Sequence, residues 1–332
     1  MLNMEEAYTV AHLLMIIAGL IMLIFGSIGN LLNIYVFTLW SRSRRTLKDH
    51  HQDTHQANNS SLYLLASSIS NLIVLLYPLV TRIIFDGFNY SVSQNQVIFL
   101  CKIRFFVLHT SDLMSLTYFC MATFDRYLIT SRNAHLRNLS TTKHRTIQII
   151  LLVFLFFCLH NIPLLIFFEV SSTGDCDVNS NQYSYYYLYA TQIFLHGIFP
   201  IVFLSIFGTL TFQQLKQLQV HVQNHLNVDK QLSRMLVLMS IAIVISSIPY
   251  CVEQLYYEMF AHGNQQQSGL IFLLHVISSI LFYVNPVSSF YIYFISTPHL
   301  RHEVQRLFYR SKHHHRFTNN QIHTITDLHQ SH

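Results

Sequence analysis

Asp125, Arg126 and Tyr127 place an acid beside a base near one end of an apolar stretch that runs Ile98–Ser131. An arginine held in hydrocarbon costs about 2.5–3.5 kcal/mol even on the permissive insertion scale. A neighbouring carboxylate offsets part of that cost. The pair can therefore act as a latch, with Arg126 held by Asp125 in one state and released in another. The plainer reading is a snorkelling arginine that marks a helix end. Cys101 stands 25 residues before Arg126, which along a helix is roughly 37 Å. A bilayer core is about 30 Å thick. One helix thus carries its cysteine into an oxidising space and its arginine to the cytosol. Cys176 is the other cysteine expected on that outer side, and a Cys101–Cys176 disulfide would tie its loop over the helices. Cys120, Cys158 and Cys251 fall inside apolar stretches, where free thiols serve as filler.

Other polar residues interrupt apolar runs and need a reason to be there. Arg82, His196, Glu253 and His275 fall in the outer halves of four such runs, with both signs of charge among them. Asp112 lies deeper, and is either a ligand contact or a structural acid bonded to Ser111, Ser115 or a neighbouring helix. Tyrosines cluster from Tyr183 to Tyr189, where an interfacial belt is the default reading. A cavity with both charges and many aromatics suits a short peptide better than a lipid. Asp112 is the only acid near mid-span, so no catalytic dyad forms and enzymatic chemistry is not expected. The His313–His315 run is bland, and no metal or cofactor is expected.

These residues must be held by something, and composition says what. Hydrophobic types make up 52% of the chain and charged types 11%, against about 25% charged in a soluble domain. Seven apolar stretches are long enough to cross a bilayer as helices: about Tyr8–Trp40, Ser60–Phe85, Ile98–Ser131, Thr146–Glu169, Tyr185–Leu218, Gln231–Phe260 and Ser268–Phe294. No internal repeat supports a transporter, and no charged ring supports a channel. The net charge of +5 is spread over short connections, which is a topology signal and not a nucleic-acid patch. Arg44, Arg45 and Lys48, then Arg137, Lys143 and Arg145, then Arg301, Arg306 and Arg310 mark one side. Glu5, Glu6, Asp86, Glu169, Asp175 and Asp177 mark the other. The N-terminus is expected outside.

The expected fold is all-α, a seven-transmembrane helix bundle with a short amphipathic eighth helix. Residues 1–7 form a short extracellular start, and 8–297 the membrane domain. Residues 298–310 form a helix lying on the inner leaflet, with Leu300, Val304, Leu307 and Phe308 on one face. Residues 311–332 are a polar, disordered tail. Asn89 is the one glycosylation sequon on the outer side, since Asn58, Asn59 and Asn138 fall on the inner side.

Five more features line up along the stretches: Gly29-Asn30 in the first, Asn71 before Leu72 in the second, Pro200 in the fifth, Pro249 in the sixth and Asn285-Pro286 in the seventh. Each proline removes a backbone donor and kinks its helix. With Cys101, Asp125-Arg126-Tyr127 and Cys176, this ordered set resembles the class A (rhodopsin-like) G-protein-coupled receptors over about residues 8–310. The segment Leu116–Ser131 is loosely similar to invertebrate peptide receptors of the FMRFamide-receptor-like kind. The resemblance implies a resting latch at Asp125 and Arg126. It implies a heterotrimeric G-protein site at the cytosolic ends of the third, fifth and sixth helices. It implies a plasma-membrane protein in contact with lipid bilayer.

Departures from the family pattern are plain. Asn71 stands where the family has Asp, which puts a sodium site shared with Ser115 in question. The fourth stretch lacks its usual Trp. Ser246-Ser247-Ile248-Pro249 replaces Cys-Trp-x-Pro, Gly208 replaces a Tyr in the fifth, and Ser289 stands where Asn-Pro-x-x-Tyr would end, with Tyr291 two positions later. Leu108 occupies the position where amine receptors carry Asp, and no Lys in Ser268–Phe294 could hold a retinal. The expectation is a receptor for a short extracellular neuropeptide. The alternative is a non-signalling or atypical seven-helix chemoreceptor for a small molecule, with a channel or transporter behind it.

Overall fold

The computed structural model describes residues 4–42, 57–90, 98–131, 133–139, 142–170, 176–178, 180–218, 227–256, 269–298 and 300–307. Seven long helices account for most of them. They are α1 (Met4–Arg42), α2 (57–87), α3 (98–130), α4 (Lys143–Phe167), α5 (181–218), α6 (Asn227–Tyr256) and α7 (Gly269–Ser296). Six are long and apolar enough to cross a membrane. The exception is α3, which is long enough but too polar, and its position explains why. It packs on α2, α4 and α5 and reaches α6, and most of its side chains from Leu108 to Arg126 are buried. A helix surrounded by protein need not be apolar on every face. The outer helices must, and on α4 the leucines Leu151, Leu152, Leu155 and Leu159 are all exposed.

Four segments among the described residues depart from regular α geometry, at Leu75–Leu79 and Ile83–Gly87 in α2, Ile98–Ile103 in α3 and Tyr187–Ile198 in α5. The backbone of α2 widens to i→i−5 pairing over Leu75–Leu79, around Pro78. Pro78 has no N–H to donate and crowds the preceding turn. The Thr81 hydroxyl caps the loosened carbonyls of Tyr77 and Pro78 at 3.0 and 2.8 Å. The same wide pairing runs over Tyr187–Ile198 in α5, just before Pro200, with Phe199 N–H reaching Phe194 O. Pro249 and Pro286 lie inside helices that run on through them.

The bundle is not purely helical. Phe168–Val170 (β1) and Cys176–Val178 (β2) form an antiparallel hairpin, with Phe168 opposite Val178 and Val170 opposite Cys176. The all-α expectation missed it, and placed Glu169 at a helix end when it lies in β1. Three residues per strand give no period to read. Cys176 is joined to Cys101 at a Cα separation of 5.7 Å, which holds the hairpin against α3. Beneath it, Cys101, Leu164 and Phe168 form a small core with Phe105, Tyr183 and Tyr187.

At the other end, residues 300–307 are helical. Leu300 and Val304 are buried in the core cluster that includes Val36, Phe37 and Tyr293, while Arg301, His302 and Arg306 are exposed. These two apolar residues therefore face protein, where the sequence pattern had them facing lipid. Phe308, Arg310, and the tail from 311 lie outside the described residues.

Candidate functional site

Near the Arg126 end, the Ser60 hydroxyl joins the acid to the base. Ser60 Oγ donates to Asp125 Oδ2 at 2.5 Å, and Arg126 Nε donates to Ser60 Oγ at 2.8 Å. Arg126 has no exposed surface at all. Removing one partner of so buried a charge pair costs about 3–5 kcal/mol. Tyr127 turns away, packing its ring on Phe207 of α5 at 5.4 Å and close to Phe124. Thr130 Oγ1 lies 2.9 Å from Gln214 Oε1, a second link from α3 to α5. A Cβ at Gly208 would meet Ser240 Oγ of α6 at 3.9 Å, an ordinary contact.

The mid-bundle motif residues form a polar seam. Asn30 donates to Gly26 O and to Pro286 O, both at 2.8 Å, tying α1 to the Asn-Pro step of α7. Ser115 donates to Asn71 Oδ1 at 2.5 Å and lies 2.9 Å from Ser67 Oγ. Asn71 thus holds Ser115 as a neutral acceptor. Asn33 Nδ2 stands 3.5 Å from Ser289 Oγ. Tyr291 points its hydroxyl at Phe25 O of α1 instead of inward. The buried tyrosine of this region is Tyr293, which with Asn285, Asn71 and Ser115 lines a small cavity.

Toward the Cys101 end, the structure sorts the ligand-contact candidates into two groups. In the first, the guanidinium of Arg82 contacts Asp86, His275 Nε2 and Ser279 Oγ, the last at 2.7 Å. His275 Nδ1 lies 3.0 Å from Glu253 Oε1. Arg82 can only donate, so His275 accepts on Nε2 and carries its hydrogen on Nδ1, toward Glu253. A neutral ring therefore relays between a cation on α2 and a carboxylate on α6. Arg104 joins this end of the bundle from α3. It is buried and lies over the rings of Phe85 and Phe105 at 5.0 and 5.2 Å, a cation–π arrangement.

In the second group, His196 Nδ1 meets Asp112 Oδ2 at 2.8 Å. His109 Nδ1 lies 3.2 Å from His196 Nε2, and Tyr187 Oη 2.7 Å from His109 Nε2. Asp112 and His196 both line a small cavity with Ser247, Tyr250, Cys251, Phe282 and Asn285. Its room is of the order of one water molecule. Ser247 stands where the family carries a tryptophan, and it lines the cavity beside the rings of Tyr250 and Phe282, which are 4.8 Å apart. Leu108 belongs to neither group. It is buried in the apolar core with Val74, Leu79 and Tyr283. Asn89 is exposed with φ 51° at the end of α2, and Ser91 of its sequon lies outside the described residues.

A family model for the 7 transmembrane receptors of the rhodopsin family matches residues 29–293. The chain belongs to that family. Its members are receptors, not enzymes, and the six apolar helices agree with a multi-pass protein of the plasma membrane. Two curated relatives are neuromedin-U receptors 2. The one from Mus musculus is 23% identical over 285 residues, which is 80% of this chain and 68% of the relative. The one from Rattus norvegicus is 23% identical over 292 residues, 82% of this chain and 70% of the relative.

Residues that sequence reasoning passed over stand at several key contacts of this receptor, Ser60, His109, Gln192 and Tyr293, while Tyr187, read with its neighbours as an interfacial belt, turns inward to His109 and Gln192. Serine and tyrosine are ordinary in membrane helices, and nothing in their spacing marks them. His109 is the exception. A histidine three residues before Asp112 on the same helix lies on the same face, and that spacing was a readable signal.

Proposed function

We propose that this receptor binds a short neuropeptide at its Cys101 end and passes the signal to a heterotrimeric G protein at its Arg126 end. The observation that carries the reading is the fully buried Arg126, bonded to Ser60, which also holds Asp125. A cation kept in the protein interior through a hydroxyl that also holds a carboxylate is poised to be released when the helices around it shift. The N-terminus then lies outside and the 300–307 helix beside the inner leaflet, with its exposed Arg301 and Arg306 toward lipid headgroups. Asn89, exposed on the outer side, is the glycosylation site. Pro200, Pro249 and Pro286 are the points about which the helices swing.

The ligand class is supported by the outer polar group and by the likeness to neuromedin-U receptors. Arg82, Asp86, Glu253 and His275 offer both charges within one connected cluster. A peptide carries both kinds of group and can bond to either sign in this cluster, while a lipid tail has no polar group to offer it. The deciding experiment is a short-peptide library applied to cells that express the full chain and a promiscuous G protein. A second-messenger response to a peptide is expected in wild type. Arg126→Ala should abolish it while surface expression stays within about twofold. Normal signalling by that variant removes the latch role. Silence across the peptide library in the presence of normal surface expression, with a response to small molecules, favours the small-molecule chemoreceptor instead.

A further inference from the structure

The bonds that link Gln192, Tyr187 and His196 of α5 to His109 and Asp112 of α3 form one head-to-tail chain of donors. Gln192 Nε2 donates to Tyr187 Oη at 2.6 Å. An ionised Asp112 can only accept, so His196 carries its hydrogen on Nδ1 and leaves Nε2 as an acceptor. His109 then donates from Nδ1 across 3.2 Å, and its own Nε2 accepts from the Tyr187 hydroxyl. The order is Gln192, Tyr187, His109, His196, Asp112, with both rings neutral. His109, His196, Gln192 and Asp112 are each 3% exposed or less.

The same side chains have a second arrangement that keeps every bond and holds one more proton. His196, protonated on both nitrogens, donates to Asp112 and to His109 Nδ1. His109 moves its hydrogen to Nε2 and donates to Tyr187 Oη. Tyr187 turns its hydroxyl toward Gln192. There Gln192 Oε1 is buried with no hydrogen-bond partner among the described residues, and an amide rotation brings it into line. One proton enters from water and none leaves. Above His196 every bond has reversed, and Asp112–His196 has become an ion pair on the wall of the cavity that holds Asn285 and Ser247.

We propose that Asp112, His196, His109, Tyr187 and Gln192 form a proton-binding site through which this receptor senses acidity on its outer side. The direction of sensing rests on the orientation and signalling proposed above. The upper end of the chain of bonds reaches the hairpin, since Tyr187 packs edge-on against Phe168 of β1 at 5.5 Å. Other titratable groups face the site from each neighbouring helix. They are His160 of α4, Tyr250 and Cys251 of α6 beside Asp112, and Tyr283 of α7, which interacts with Asp112, Arg82 and Arg104. None of these is a link in the chain of bonds, and His160, half-buried, serves as the internal control.

The test measures thermal unfolding of the purified full-length receptor in lipid nanodiscs from about pH 5 to 8, the range in which histidine changes charge. The difference between wild type and His109→Phe should follow a single one-proton transition. Gln192→Met removes a bond from each arrangement, but only in the reversed one does it leave the buried Tyr187 hydroxyl hydrogen without an acceptor, since in the first that hydrogen still goes to His109. It should move the transition to acid by about one pH unit, a tenfold higher proton concentration. His160→Phe should keep the wild-type transition. Identical profiles for wild type and His109→Phe overturn the proposal, as does a transition that Gln192→Met leaves in place or that His160→Phe abolishes. If His109→Phe does not fold, the Gln192→Met and His160→Phe pair decides alone. In cells with a promiscuous G protein, a step from about pH 7.6 to 6.2 should change second messenger in wild type and not in His109→Phe. Peptide-evoked signalling that the acid step leaves unchanged overturns the sensing. A nanodisc transition with silence to both peptide and acid keeps the proton site and overturns the signalling.

Discussion

Ser60 decides how Arg126 sits. Its hydroxyl bonds to both the Asp125 carboxylate and the Arg126 guanidinium, at 2.5 and 2.8 Å. Hydrogen bonds to charged groups contribute about 1.5–3 kcal/mol each. Ser60→Ala removes an acceptor from Arg126 and a donor from Asp125 at once, without adding bulk. The expected result is a lower unfolding temperature in nanodiscs and raised basal second messenger, with Ser60→Thr close to wild type. Unchanged basal signalling at normal surface levels would remove Ser60 from the latch. The consequence reaches Asp125 too. A buried carboxylate that loses a hydroxyl donor is costly, so the variant measures how much of the latch rests on this bridge.

At the scale of helices, α1 and α7 are held together by a close approach that only a glycine permits. A Cβ at Gly29 would stand 2.9 Å from Phe290 Cβ, and a Cβ is fixed to the backbone and cannot swing aside. Gly29→Val should force the helices apart and cost about 1–3 kcal/mol, read as a fall in unfolding temperature. An unchanged value would mean that α1 shifts freely. Gly29-Asn30 was legible as a motif because its polarity interrupts an apolar run. The same is true of Asp125-Arg126, Asp112 and Asn285, and the seven helices follow from the lengths of the runs. What spacing did not reveal is which residues meet across helices. Asp112 and His196 come together because the upper part of α5 pairs i→i−5 over Tyr187–Ile198. That wider turn rotates each later side chain away from the 3.6-residue period, so His196 could not be aimed from the sequence. Arg82, Glu253 and His275 were legible as charges and not as one cluster, for they sit on three helices whose relative heights no local rule sets. The hairpin stayed hidden because its strands are three residues long.

The molecule as a whole is organised for lipid on its outside and polar contacts at its centre. Leu155, midway along α4, is 56% exposed, while Leu113 on α3 is 1% exposed. In water an exposed leucine adds nothing by being there, and in a bilayer it loses nothing, because the acyl chains that touch it are as apolar as the protein interior. Leu155→Ala should therefore change stability in nanodiscs by less than about 0.5 kcal/mol. Leu113→Ala leaves a hole among Leu64, Phe119 and their neighbours, and should cost about 2–5 kcal/mol. Charge reverses the ranking of what matters at the surface. Leu155→Lys puts an ammonium at the bilayer centre, where insertion scales assign about 2.5–3.5 kcal/mol, and it should cut surface expression sharply while Leu155→Ala leaves it intact. The three variants separate two architectures that have the same helices. If α4 faces another protein instead of lipid, Leu155→Ala would cost as much as Leu113→Ala, because a cavity would open in a packed interface that cannot flow to fill it. A lipid-facing α4 gives the small effect, since acyl chains close the gap at once.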